Sequence, residues 1–275
     1  MHRSLTGPDT RTAAYLGTPG PLALAHRGGA AEVPENSRAA LDHAARLGYR
    51  YVETDLHRTA DGVVVLLHDP TVDRVTDGTG PLATMTWAQA ARLRDRSGGR
   101  LVRLDEALEQ FPDLRFNIDL KEDAVVAPAL RVLTAAGALD RVCLASFSDR
   151  RLRVARRLAD GRVATSLGRG ETTRLVVAAS LGAPATGVPR PTGTGAGHAV
   201  CVQVPRSHRG VPVVTPAFVA RAHALGLQVH VWTIDDAPTM HRLLDLGVDG
   251  IVTDRPTVLR HVLRVRGEWV ETTPV

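Results

Sequence analysis

The sequence predicts an α/β chain folded as a (β/α)8 TIM barrel with a small insertion after the second strand. Three observations predict it. Short apolar runs alternate with stretches of helical periodicity, and short connections join them, which is the signature of parallel strands with crossover helices. Counting those runs gives eight strand–helix units, the number that closes a barrel. The length of 275 residues suits one barrel of about 250 residues. A doubly wound open sheet is the alternative. No GxGxxG turn follows the first strand, which counts against a dinucleotide site.

Residues 1–20, rich in Gly, Pro, Thr and charge, read as an irregular lead-in. The barrel is expected over 21–266, with a tail at 267–275. Leu22–His26 (LALAH) is the first buried strand, and Asn36 or Ser37 caps a helix running to about Leu47. Tyr51–Leu56 is the second strand, and Val63–His68 follows Asp61-Gly62 as an accessory strand. Residues 70–101 are polar and turn-rich, with a short helix near Trp87–Leu93, and form the insertion. After a helix at Leu104–Phe111 the rhythm is regular. Strands are expected at Arg115–Leu120, Arg141–Ser146, Arg162–Leu167, Ala199–Val204, Gln228–Ile234 and Gly250–Thr253. Helices follow near Ala124–Ala136, Asp149–Ala159, Thr172–Leu181, Pro216–Leu225, Ala237–Leu246 and Thr257–Val265, and a Gly/Pro-rich loop spans Ala183–His198.

Hydrophobic content of 44% and charged content of 23% are ordinary for a globular chain with a sizeable core. The net charge is +5, carried almost entirely by arginine, since Lys121 is the one lysine. No Arg/Lys run is interleaved with aromatics, so nucleic acid is not an expected partner. Arg150, Arg151, Arg153, Arg156 and Arg157 read as a solvated helix face. Cys143 and Cys201 lie in separate apolar strands and read as buried reduced thiols. The N-terminal residues contain no signal-peptide core, and no run approaches a membrane span. A cytoplasmic location without stable membrane insertion is expected; oligomeric state carries no signal.

The chemistry begins at Tyr51–Asp69, YVETDLHRTADGVVVLLHD. Side chains alternate along a strand, so Tyr51, Glu53, Asp55 and His57 share one face and Val52, Thr54 and Leu56 the other. Two positions on one face lie roughly 6 to 7 Å apart, close enough for both acids to grip one hard cation. In NIDLK, Asn117, Asp119 and Lys121 likewise share a face. His26 ends the first strand, His68 ends the accessory strand and Trp232 lies late on the seventh. In barrels of this kind reactive groups gather at the C-terminal ends of strands. Glu53, Asp55 and Asp119 could not stay ionised side by side without a compensating cation. An all-oxygen set suits Mg²⁺, Ca²⁺ or Mn²⁺, and the nearby imidazoles keep Zn²⁺ open. With that ion, Arg27 and Lys121 the site is net positive, so an anionic substrate is expected, and phosphate fits best. Two histidines flanking the anion would supply a general base and a general acid.

The runs HRGG (His26–Gly29), PENS (Pro34–Ser37), ETDLHRTADGVVVLLHD (Glu53–Asp69), NIDLK (Asn117–Lys121), VWT (Val231–Thr233) and GIVTDRP resemble the glycerophosphodiester phosphodiesterase family over about Leu22–Pro256. The resemblance implies a phosphatidylinositol-phospholipase-C-like barrel that hydrolyses glycerophosphodiesters to glycerol 3-phosphate and an alcohol with one divalent cation, Mg²⁺ or Ca²⁺ before Mn²⁺ or Zn²⁺. It also implies His26 and His68 as the acid–base pair, and Glu53, Asp55 and Asp119 as metal ligands. Arg27 and Lys121 would contact phosphate, Glu35 would lie near the metal or the glycerol, and Trp232 would wall the substrate pocket. Many members carry Glu where this chain has the shorter Asp119. Attack by the neighbouring glycerol hydroxyl through a cyclic phosphate and direct attack by water both fit the sequence. Two rivals stand beside this reading: a lysophospholipase D or sphingomyelinase-D-like lipid phosphodiesterase, and a barrel that binds phosphodiesters without turnover.

Overall fold

A computed structural model describes residues 15–191 and 198–270 of the chain. Parts of the expected lead-in (1–14), Gly/Pro-rich loop (192–197) and tail (271–275) lie outside the described residues.

Runs that are apolar on both faces form the strands, and each is shielded by the helix that follows it. The order is β1 (Leu22–His26), α1 (Arg38–Arg46), β2 (Tyr51–Arg58), β3 (Val64–Leu66), α2 (Trp87–Ala90), α3 (Leu104–Gln110), β4 (Arg115–Leu120), α4 (Val126–Ala135), β5 (Val142–Ala145), α5 (Asp149–Leu158), β6 (Ala164–Thr165) and α6 (Arg169–Leu181). Then come β7 (Cys201–Pro205), the hairpin β8–β9 (Ser207–His208, Val211–Pro212), α7 (Pro216–Ala224), β10 (Gln228–Trp232), α8 (Ala237–Asp245), β11 (Gly250–Thr253) and α9 (Pro256–Val265). Side-chain caps set several helix starts: the hydroxyls of Ser37, Ser148 and Thr215 and the Asp236 carboxylate each accept a first-turn N–H.

The expected (β/α)8 barrel is observed. Its parallel strands run in the order β6-β5-β4-β2-β1-β11-β10-β7, with β3 antiparallel against β2. The two ends of that order meet at Ser166 and Cys201, where Leu167 N–H donates to Cys201 O at 2.9 Å and Val200 N–H to Thr165 O at 2.9 Å. This seam is the thinnest part of the wall. The strand expected at Arg162–Leu167 shortens to two residues there, because Ser166 and Leu167 complete the closure as an isolated bridge.

Two apolar layers lie between strands and helices, and a third fills the barrel. The filling layer holds Leu22, Leu24, Tyr51, Cys143, Ala164, Val200, Cys201 and Val252, most of them small. Tyr15 completes it. The residue is helical and 1% exposed, its ring meets Tyr51 edge-on at 5.4 Å, and its carbonyl accepts the Tyr51 hydroxyl at 2.6 Å. Residues 17–20 are irregular, as expected of the lead-in, while Tyr15 and Leu16 are helical and the small inward side chains leave room that the Tyr15 ring fills. Trp269 in the expected tail likewise packs on Tyr49, at 5.2 Å. Cys143 and Cys201 are buried free thiols, as expected, with their sulfurs 3.9 Å apart inside the barrel.

Arg156 corrects the reading of a solvated arginine face. It is fully buried, donates to both carboxylate oxygens of Glu171 at 2.9 and 3.0 Å and to Thr165 Oγ1 at 2.8 Å, and so fastens α5 to α6 beside the seam. Leu152, Ala155 and Arg156 share the inward side of α5 at helical spacing, which accounts for it. The insertion has a small core of its own, Val65, Leu67, Val72, Leu82, Ala90 and Leu101. Among the described residues no helix is long and apolar enough to cross a membrane.

Among the described residues the hydroxyl of Tyr15 is buried without a hydrogen-bond partner. Tyr15→Phe is expected to leave stability unchanged or slightly raised, whereas Tyr15→Ala is expected to cost about 3–5 kcal/mol by urea unfolding. Equal stability of the Ala variant and wild type would remove this segment from the core.

Candidate active site

Strand ends and the loops that follow them place the candidate site residues at the C-terminal rim of the barrel. The register pairs His26 with Glu53 across β1 and β2, and Asp55 with Asp119 across β2 and β4. After His26 the backbone turns sharply: Arg27 (φ 50°), Gly28 (φ 83°) and Gly29 (φ 112°) all lie in the left-handed region. A Cβ on Gly28 would sit 2.6 Å from Ala40 Cβ, so this turn can close on α1 only with glycine there. The turn aims the Arg27 N–H at Glu53 Oε2, 3.2 Å away.

The PENS segment supplies three separate contacts. Glu35 accepts from Arg27 Nη1 at 3.0 Å. Asn36 holds Asp55 Oδ2 through Nδ2 at 3.0 Å and is itself oriented by the Thr54 hydroxyl at 2.7 Å. Ser37 caps α1. Asp55 thus sits among Asn36, the Arg27 guanidinium (3.2 Å) and Lys121 Nζ (2.8 Å). Lys121 also reaches Asp119 Oδ2 at 2.7 Å.

These placements divide the carboxylates. Burial alone would push Asp55 up, but Lys121 and Arg27 overcome it and hold the carboxyl below its usual range. Glu53 is 7% exposed and goes the other way, pushed up to about 8 by burial and by the charge of Asp55. Burial likewise raises Asp119 despite Lys121, while the two aspartates lift Lys121 against the effect of its own burial.

Both histidines are held by one nitrogen. His26 Nδ1 lies 2.6 Å from Asp254 Oδ1, leaving Nε2 facing Glu53 Oε2 at 3.7 Å. Burial lowers its pKa, but Glu53 and Asp254 together raise it above the ordinary value. His68 Nδ1 lies 2.6 Å from Asp69 Oδ1, and His57 Nε2 is 3.2 Å from the His68 carbonyl. With Nδ1 committed, each ring presents Nε2 for proton transfer. Trp232, at the end of β10, meets Phe147 edge-on at 5.9 Å and borders a cavity of about 250 Å³ lined also by Arg206, Ser207, Thr233, Ile234, Asp236 and Thr239.

The model of the glycerophosphoryl diester phosphodiesterase family matches residues 26–258, which spans all of these groups. The chain belongs to this family. It is 41% identical over 259 residues to the protein named probable glycerophosphodiester phosphodiesterase 2 of Mycobacterium tuberculosis, covering 94% of this chain and 96% of that one. Among solved structures, a glycerophosphodiester phosphodiesterase from Agrobacterium tumefaciens superposes with a TM-score of 0.71 at 24% identity, over 88% of this chain and 99% of that one. An Oleispira antarctica phosphodiesterase, solved with the product sn-glycerol 3-phosphate, gives 0.73 at 22% identity, over 91% and 99%.

Within this phosphodiesterase barrel, sequence reasoning passed over Asp254, Asn36, Phe147 and Arg74. Asp254 directly follows β11, so the strand-end rule that selected His26 also reaches it. Asn117 shares a face with Asp119 as expected but pairs with Gln203 across the barrel, Gln203 Nε2 donating to Asn117 Oδ1 at 3.0 Å. Among the described residues no three His, Cys, Asp or Glu side chains are gathered closely enough to grip a metal as they stand, and Lys121 Nζ bridges Asp55 and Asp119.

Asp69 is held at about 2 by its hydrogen bond from Arg74, against the effect of burial, with a further contribution from His68. A depressed carboxyl pKa stabilises the fold above the unfolded value, near 4, and loses that contribution as pH falls through the folded value. The urea midpoint of wild type is therefore expected to exceed that of Asp69→Asn above about pH 4 and to converge with it toward about pH 2. A gap independent of pH across that window would contradict the ion pair.

Proposed function

We propose that the protein hydrolyses glycerophosphodiesters to glycerol 3-phosphate and an alcohol, with His26 and His68 as the acid–base pair. The observation that carries this reading is two imidazoles, His26 at the end of β1 and His68 two residues past β3, each tied through Nδ1 to a carboxylate at 2.6 Å, on the rim where Arg27, Lys121 and three buried carboxylates converge. Family membership and the product held by the Oleispira relative support the substrate class.

Arg27 and Lys121 are the cations that receive the phosphate. Arg27 carries a planar fork suited to two phosphoryl oxygens, and Lys121 a point charge able to move from the aspartates onto the anion. One imidazole takes the proton from the oxygen attacking phosphorus as the new P–O bond forms. The other gives a proton to the alkoxide released as the old P–O bond breaks. Asp254 and Asp69 fix the tautomers and stabilise the imidazolium that forms in each case. Trp232 walls the pocket for the alcohol. Glu35 acts by holding Arg27.

Glu53, Asp55 and Asp119 are the residues that would hold a divalent cation. Their chemistry fits one, although their present spacing does not gather them: three oxygen donors, each 9% exposed or less, with no ion pair to an ammonium or guanidinium at Glu53 among the described residues. Such an ion, Mg²⁺ or Ca²⁺ in preference to Mn²⁺ or Zn²⁺, would stabilise negative charge on the phosphoryl oxygens.

The test is release of glycerol 3-phosphate from glycerophosphocholine and glycerophosphoethanolamine by metal-stripped protein, with one ion restored at a time. Turnover regained with a hard divalent ion is expected. Silence with every ion, together with choline release from lysophosphatidylcholine, would replace the reading by the lipid phosphodiesterase. His26→Ala and His68→Ala are each expected to lower kcat at least about 10³-fold while the circular dichroism spectrum is unchanged. Near-native turnover in either would overturn the pair. Asp119→Asn is expected to raise the ion concentration needed for half-maximal activity, and an unchanged titration would remove Asp119 from the ligand set.

A further inference from the structure

The insertion's only charged group reaching both the PENS segment and the His68 dyad is Arg74, among the described residues. It sits on a rigid turn. Val72 is fully buried in the insertion's own core, its carbonyl accepts both the N–H and the hydroxyl of Thr76, and its N–H donates to Gly80 O at 3.0 Å. From that turn the Arg74 side chain runs back over the rim and divides its donors between two carboxylates. Nε donates to Asp69 Oδ2 at 2.6 Å, while Nη1 and Nη2 donate to Glu35 Oε2 and Oε1 at 2.7 and 2.8 Å.

Each carboxylate has a second duty. The other oxygen of Asp69 meets His68 Nδ1, and Glu35 Oε1 also accepts from Arg27 Nη1. The result is one unbroken line of ion pairs, Asp55–Arg27–Glu35–Arg74–Asp69, which runs from the carboxylate cluster and ends in the Asp69–His68 contact.

A half-exposed arginine (45%) earns little stability from such pairs, because solvent screens them. Orientation is a different matter. Asp69 is the neighbour of His68 in sequence, and nothing in its own covalent geometry turns Oδ1 toward Nδ1. A fork that fixes Oδ2 fixes the plane of the whole carboxylate and with it the imidazole.

We propose that Arg74 is a positioning residue: it locks Asp69 against His68 and Glu35 against Arg27, so that the insertion completes the acid–base site. This rests on the phosphodiesterase reading above. Lysine at this position would supply one charge without the fork, and could serve one carboxylate well but not both in fixed geometry.

The experiment compares Arg74→Ala and Arg74→Lys with wild type by kcat and KM for glycerophosphocholine, by thermal midpoint, and by proton NMR of the downfield His68 Nδ1–H signal, assigned by its loss in His68→Asn. Arg74→Ala is expected to lower kcat about 10–100-fold with KM changed less than about threefold, and to shift or broaden the His68 signal. Arg74→Lys is expected to recover part of kcat and part of the signal shift. An Ala variant with kcat within about twofold of wild type, or with an unmoved His68 signal, would overturn the proposal. So would a loss confined to KM, which would make Arg74 a substrate contact instead. Absence of wild-type turnover on any phosphodiester would defeat the functional reading alone, since the NMR comparison would still decide whether Arg74 sets the His68–Asp69 pair.

Discussion

Burial of three carboxylates at one end of a barrel is the constraint that the rest of this structure answers. Charges taken out of water must be paired, protonated or held by a cation. Asp55 is paired three times over, by Asn36, Arg27 and Lys121, and is held ionised. Glu53 has the Arg27 N–H and a distant imidazole, and its carboxyl is driven up to about 8. The β2–β4 register sets Asp55 beside Asp119, while the left-handed turn at Arg27–Gly29 and Lys121 just past β4 bring opposite charge to this cluster. The same cations that keep Asp55 ionised are those a phosphodiester would draw toward itself.

Much of the barrel was legible because its signals are local. β1, β4 and β11 begin and end at the expected residues, since an apolar run bounded by charge or glycine leaves few other solutions. The alternation that put Glu53, Asp55 and His57 on one face, and Asp119 with Lys121, needs only the period of a strand. What escaped depends on contacts between distant segments. Tyr15 fills a space that exists only once eight strands have closed around small side chains. β6 is cut short by the seam it shares with β7. Arg156 looked like one of five surface arginines, although its register with Leu152 and Ala155 was a usable signal that it faces inward.

The site was legible to a similar depth. Residues that act through position on a strand, His26, Glu53, Asp55, Asp119 and Lys121, were found where strand ends were found. Partners brought in from distant segments were not. Asp254 is 228 positions from His26, and Arg74 is 39 from Glu35. Such partners become visible only when the barrel has brought the first and last strands side by side and the insertion has folded on its own core. The insertion, which read from sequence as an interruption of the rhythm, packs on Val65 and Leu67 and reaches the PENS segment and Asp69 through the Arg74 fork.

The proposed function requires that the rim hold a phosphate between Arg27 and Lys121 while the carboxylates hold a cation. A crystal structure with Mn²⁺ and glycerol 3-phosphate, phased to show the anomalous signal of the ion, tests both halves together. The account predicts an anomalous peak among Glu53, Asp55 and Asp119, with Lys121 Nζ drawn off the aspartates and onto the phosphate. A Lys121 that still bridges Asp55 and Asp119, with the ion and the phosphate bound away from this rim, would contradict it.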